Sequence, residues 1–219
     1  MSRQKPRKRP ADGQARASGG FTLIELTVVL AVIVTLALIL TPSIANFIND
    51  SRMARARNDA QSIVSAVVQF YKDNGFYPQW ATADNGGPGA ATSKVDLLVT
   101  PGNTPASALA TLWATGSSAE LGGALMTNAP GYRLKQVGSA FGWNGPYLSS
   151  ELGTDPWNNR YMVNVGLIDP AVAVASATGV PKSAVWVISA GANGTVETLY
   201  TQAVTTAVIG GDDIGVRLQ

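Results

Sequence analysis

The sequence predicts an α+β protein in which one long N-terminal helix, hydrophobic and then amphipathic, packs on a small antiparallel β-sheet. Three observations carry this. Residues 26–49 contain no charged side chain. Apolar residues then recur every three or four positions through residue 71 without an intervening turn signal. Beyond residue 160, short β-branched and aromatic runs alternate with Gly- and Asn-rich segments, which is the spacing of strands and turns.

Residues 1–20 carry six of the chain's 16 basic residues, Arg3, Lys5, Arg7, Lys8, Arg9 and Arg16, against the single acid Asp12. They show no apolar periodicity and read as a basic leader. The remaining chain holds ten basic and thirteen acidic residues, so its body is mildly acidic and offers no basic patch for nucleic acid. There is no cysteine and no histidine in the 219 residues. That excludes disulfides, thiolate metal sites and every nucleophile that depends on an imidazole base. The composition gives no footing for an enzyme.

As a helix, the charge-free run Leu26 to Asn49 would be about 36 Å long, enough for a bilayer core of about 30 Å. With the basic leader ahead of it, the N-terminus is expected in the cytoplasm and the rest exported. Pro42 interrupts the run, and membrane helices tolerate such a residue. The amphipathic continuation uses Met53, Ala56, Ala60, Ile63, Val67 and Tyr71, giving one helix from about Phe21 to Asp73. Gly75 is placed as its C-terminal cap, and Pro78 prevents its resumption. Residues 81–105 read mostly as loop around the apolar island Val95 to Val99. Thr104 to Thr115 reads as a short helix with Pro105 in its first turn, and Ser117 to Met126 as another. Residues 160–165, 184–189 and 195–200 read as strands, with 190–194 as a hairpin loop between the last two.

Glu25 stands at the edge of the apolar helix, where a charge costs several kcal/mol if it enters the bilayer. Two readings of the N-terminal pattern are open from the residues themselves. It can be a secretory signal peptide cut after Ser43-Ile44-Ala45, or an uncleaved anchor with Glu25 just outside the bilayer.

A basic leader, Gly20, then Phe21-Thr22-Leu23-Ile24-Glu25 and an apolar helix resembles the type IV pilin and pseudopilin family. The resemblance implies cleavage between Gly20 and Phe21 by a prepilin peptidase, with N-methylation of Phe21. It implies three segments: 1–20 removed, 21–45 as transmembrane and filament-core helix, and 46–219 as an exported globular domain. Glu25 matches the family's glutamate at the fifth mature position, where its carboxylate meets the amine of a neighbour's Phe21. Pairing two charges in a low-dielectric bundle offsets the cost of burying each, and an unpaired one penalises the wrong register.

Four further stretches are similar to the major pseudopilin branch, protein G of type II secretion systems. They are Phe70 to Pro78, Trp143 to Leu148, the turn Asp155-Pro156-Trp157-Asn158-Asn159-Arg160-Tyr161, and Gly191-Ala192-Asn193-Gly194 with Asp213-Ile214-Gly215. In that branch the last pair of loops encloses calcium. Here Asn193, Asp212 and Asp213, with backbone carbonyls near Ser189 and Gly191, would form the shell of oxygens that Ca²⁺ requires. Asn193 stands where the branch has Asp, which removes one formal charge. The extra length around residues 84–130 and 168–182 departs from the branch.

The resemblance thus implies a non-enzymatic subunit of a periplasmic pseudopilus in the bacterial inner membrane. Its partners would be further copies of itself, minor pseudopilins, the inner-membrane assembly platform and the peptidase. Two alternatives stay open: a pilin or minor pilin of a surface pilus, and a membrane-anchored periplasmic binding protein or enzyme.

Overall fold

Helix α1, Leu23–Asn74, carries the change from apolar to amphipathic within one continuous element of 52 residues. The computed structural model describes residues 20–89, 91–107, 112–150, 152–168 and 183–218. The helix starts at Leu23 because Thr22 caps it and passes through Pro42 unbroken. Next to that proline, which has no N–H to give, the Thr41 hydroxyl donates to the Ala37 carbonyl at 2.7 Å. Gly75 closes the helix as predicted. Its φ is +79° and its N–H donates to the Tyr71 carbonyl at 2.8 Å, the left-handed cap that glycine adopts without a Cβ penalty.

The chain divides into two compact units between Phe47 and Ile48. In the first, every described residue is exposed. Its helix is apolar all round and long enough to cross a membrane, so its apolar surface is left for lipid or other helices.

The second unit has its own core. From α1 it takes Ala56, Ala60, Ile63, Ala66, Val67, Phe70 and Asn74, all buried. The predicted stripe shifts at both ends: Met53 and Tyr71 are exposed, and Phe70 faces inward in place of its neighbour. Phe70 meets Phe76, Tyr132 and Tyr147 edge-on, with ring centroids 5.1–5.9 Å apart.

In chain order the other elements are β1 Leu97–Val99, β2 Ala106–Ser107, α2 Leu112–Thr115, β3 Ser118–Glu120, β4 Met162–Val163, β5 Trp186–Ser189, β6 Thr195–Val196 and β7 Ile214–Arg217. The main sheet has the order β3-β1-β4-β5-β7. Four of its strands pair antiparallel, and β3 adds to β1 in parallel. Both faces are covered. Leu98, Val163, Val185 and Val187 join the core that includes α1, while Leu97, Met162, Trp186 and Ile188 join a second core with Trp113, Val196 and Tyr200. Alternate residues of one strand thus serve opposite cores.

Several expected elements take a different form. The island at residues 95–99 contains β1, an interior strand between β3 and β4 rather than a loop. The helix expected from Thr104 begins instead as β2, which pairs parallel to β6. It becomes helical only at Leu112, residues 108–111 lying outside the described set. The helix expected from Ser117 begins as β3, and a π-helical turn, Gly123–Thr127, follows. The loop 190–194 is not a hairpin: β5 pairs with β4 and β7, and β6 leaves for the two-stranded sheet. The strand expected over 195–200 ends at Val196, because the N–H groups of Glu197 and Thr198 donate to Asp213 instead of to a neighbouring strand. Of the extra length expected at 168–182, residues 169–182 lie outside the described set.

Candidate functional site

Two places concentrate the residues singled out by sequence, one in each unit. At the first, Gly20 and Phe21 precede the helix outside regular structure. Phe21 is 91% exposed, and a Cβ built on Gly20 would meet nothing within 4 Å. Thr22 and Glu25 form a reciprocal pair. The Thr22 N–H and hydroxyl each donate to Glu25 Oε2 at 2.8 Å, and the Glu25 N–H donates to Thr22 Oγ1 at 3.3 Å. This is a capping box. Thr-x-x-Glu ahead of an apolar run is its sequence signature, present here but not used in the reading above. Glu25 therefore has a partner within its own chain.

The second place is built by β5 and β7. Their register sets Ser189 opposite Ile214, which brings the loop leaving β5 beside the loop entering β7. A Cβ on Gly191 (φ +63°) would lie 2.2 Å from the Asp212 carbonyl oxygen, so only glycine fits this approach. The Asn193 N–H donates to Asp212 Oδ2 at 3.0 Å, and Asn193 Oδ1 accepts from the Thr195 N–H at 2.7 Å. Asp213 is buried; its Oδ2 accepts from the Glu197 N–H (2.9 Å), the Thr198 N–H (2.7 Å) and the Thr198 hydroxyl (2.7 Å). Its other oxygen, Oδ1, is buried without a hydrogen-bond partner. Burial pushes the Asp213 carboxyl above its ordinary value, outweighing those three bonds, and the nearby Glu197 carboxylate adds to the rise.

The turn at Asp155 is tied to the same place. Asp155 Oδ1 accepts from the Trp157 N–H (3.0 Å) and the Asn159 N–H (2.7 Å), and Oδ2 from the Ser189 hydroxyl (2.6 Å). Asn158 takes φ +71°, the left-handed conformation that asparagine tolerates. Trp157 is half-buried against the α1-side core.

The structure thus brings together Ser189, Gly191, Asn193 and Asp212, and sets Asp213 beside Glu197 and Thr198. The sequence reading missed Glu197 and Thr198, which no local motif marks, and missed that Asp155 reaches Ser189 across 34 residues. As a calcium shell the set is incomplete. Among the described residues no three of His, Cys, Asp and Glu converge to hold a metal. The feature that fits a cation is Asp213 Oδ1, a buried carboxylate oxygen with nothing to pair it.

No family model matches the sequence, and no solved structure does. Curated proteins do. The chain is similar to the fimbrial protein EcpC of Eikenella corrodens, with 40% identity over 74 residues, 34% of this chain and 46% of that protein. It is also similar to the type II secretion system core protein G of Pseudomonas aeruginosa, with 32% identity over 65 residues, 30% of this chain and 46% of that protein. Both relatives are of the type IV pilin family, and this chain resembles them over about a third of its length. It spans about half the length of the relatives it matches. Pilin and pseudopilin relatives are structural rather than catalytic, and the long apolar helix suits membrane anchoring.

Proposed function

We propose that this chain is a structural subunit of a periplasmic pseudopilus in a type II secretion system. In this reading the prepilin peptidase cuts after Gly20 and methylates Phe21. The subunit waits in the inner membrane and polymerises through its helix with copies of itself, minor pseudopilins and the assembly platform. The observation that carries the secretion reading is the polar cluster at β5. The Asp155 turn, the Gly191 to Gly194 loop and the Asp212-Asp213 loop, each similar to a protein G motif, meet through Ser189 and Asp212.

Glu25 has two states in this account. In the single subunit its Oε2 closes the capping box. In the filament its carboxylate pairs with the Phe21 amine of a neighbour, a charge-assisted contact in a dry bundle. Calcium at the loop pair belongs to the same proposal. Asp213 would be its buried ligand, Asp212 would contribute from the same loop and Asn193 from the facing one.

A second reading, a subunit of a surface fimbria, is favoured by the 40% identity to a fimbrial protein. Deleting the gene decides between them. Loss of proteins from the culture medium, with shed surface filaments unchanged, supports the pseudopilus. Loss of surface filaments with secretion intact supports the fimbria.

A further inference from the structure

An asparagine followed by glycine is a step at which a protein can modify itself. The glycine nitrogen attacks the asparagine side-chain carbonyl, and the missing Cβ leaves that attack unhindered. The chain has four such steps, Asn74-Gly75, Asn85-Gly86, Asn144-Gly145 and Asn193-Gly194, and the fold treats them differently. Asn74 is buried, and its amide donates to the Phe70 carbonyl and the Tyr147 hydroxyl at 3.0 and 3.2 Å. The Gly75 N–H is spent on the Tyr71 carbonyl. Asn85 and Asn144 are exposed, but the glycines after them are hemmed in. A Cβ on Gly86 would lie 2.7 Å from Arg133 Cβ, and one on Gly145 would lie 2.5 Å from the Trp143 ring. Among the described residues no N–H donates to the side-chain carbonyl of Asn85 or Asn144.

Asn193 differs in each respect. It is exposed. Its Oδ1 accepts from the Thr195 N–H at 2.7 Å, an Asx-turn that aims a donor at the oxygen which turns negative when Cγ is attacked. Its own N–H is held by Asp212 Oδ2 at 3.0 Å, so backbone and side chain are both oriented. The Gly194 N–H makes no hydrogen bond among the described residues. A Cβ on Gly194 would meet nothing nearer than 3.5 Å, which leaves room for a ring to close.

We propose that Asn193 is a site of self-modification, at which the side-chain amide becomes a carboxylate through a succinimide. The Gly194 nitrogen forms a bond to Asn193 Cγ and gives up its proton. The Cγ–Nδ2 bond breaks, and Nδ2 leaves with that proton as ammonia. Water, the sole co-reactant, then adds to one of the two ring carbonyls and opens the ring, leaving aspartate or isoaspartate at position 193. The consequence is electrostatic. Between Lys182 and Arg217 the chain carries Glu197, Asp212 and Asp213 and no base, and in the aspartate product the new charge stands beside Asp212. Carboxylates held together repel until a cation joins them, so the change strengthens calcium binding as the subunit ages. That consequence rests on the calcium reading given above; the modification itself does not.

The test incubates the full chain, purified in detergent, in mildly alkaline buffer made with heavy-oxygen water, and then digests it with trypsin. The tryptic peptide 183–217 holds Asn193 as its sole asparagine, and a succinimide opened there carries the heavy oxygen. Label should accumulate at Asn193 severalfold faster than at Asn85 or Asn144, and more slowly still at Asn74. The ranking should vanish in urea, where the four steps are alike, and Asn193→Gln should remove the label. Label at Asn193 no faster than at Asn85 and Asn144 in the folded chain would overturn the proposal. Calcium is read separately. At equal Ca²⁺ the melting temperature should rise more for Asn193→Asp and for the aged chain than for the fresh chain, and an equal rise in all three would overturn the electrostatic consequence. Label at Asn193 with no rise in any form would overturn the calcium reading and leave the modification standing. A rise in the fresh chain without label at Asn193 would do the reverse.

Discussion

Asp155 satisfies two backbone N–H groups and a buried hydroxyl with its two oxygens, and is itself 2% exposed. Removing it strands all three donors in a site that water does not reach. Asp155→Ala should therefore cost about 3 kcal/mol, read by urea denaturation, and Asp155→Asn should recover part of it. Asp213 behaves differently. Its carboxyl titrates above the ordinary value in the folded state, so it contributes nothing below that ordinary value, where both states are protonated. As pH rises from the ordinary value through the raised folded value, stability is lost, and the full cost of the buried charge stands above the folded value. Melting temperature should show this component falling from about pH 4 upward, and Asp213→Asn should flatten it. A bound cation would reverse the loss by pairing Asp213 Oδ1. Excess Ca²⁺ should then raise the melting temperature of the detergent-solubilised protein by mass action, and Asp213→Ala should abolish the rise. No shift in the unsubstituted protein would remove calcium from the account.

At the scale of elements, α1 is where packing energy concentrates. Phe70 is fully buried among three aromatic rings, and Phe70→Ala should cost about 3–5 kcal/mol in the same denaturation experiment. The helix was legible because its signals are local: a charge-free run, a stripe at Ala56, Ala60, Ile63 and Val67, and Gly75 at the end. The cores of the strands at 162–163 and 186–189 were legible from β-branched and aromatic content. β1 and β3 were not. Leu97–Val99 is three residues long and buried on both faces, so it shows no alternation, and Ser118–Glu120 has no strand-like composition to betray it. The loop 190–194 misled because Asn193-Gly194 has the composition of a hairpin turn. What decides its course is that β7 occupies the place beside β5, and that pairing lies 25 residues away in sequence. The same non-locality hid half of the candidate site. The motifs at Asp155, Gly191 and Asp213 were visible singly, while the Ser189, Glu197 and Thr198 contacts that join or hold them depend on the folded sheet.

For the molecule as a whole, the account divides labour between an apolar helix with no buried residue in its own unit and a globular unit with a complete two-faced core. Only the first requires partners to bury its surface, and Glu25 at its start is what would make that burial specific. Glu25→Ala should leave the melting of the globular unit unchanged and reduce filament yield, checked by calorimetry and electron microscopy of the same preparations. The most direct test is the intact mass and N-terminal sequence of the protein taken from its native membrane. The account predicts a chain beginning at methylated Phe21. An uncut chain, or one cut after Ala45, would contradict it, because no new amine would then stand beside Glu25 for assembly to use.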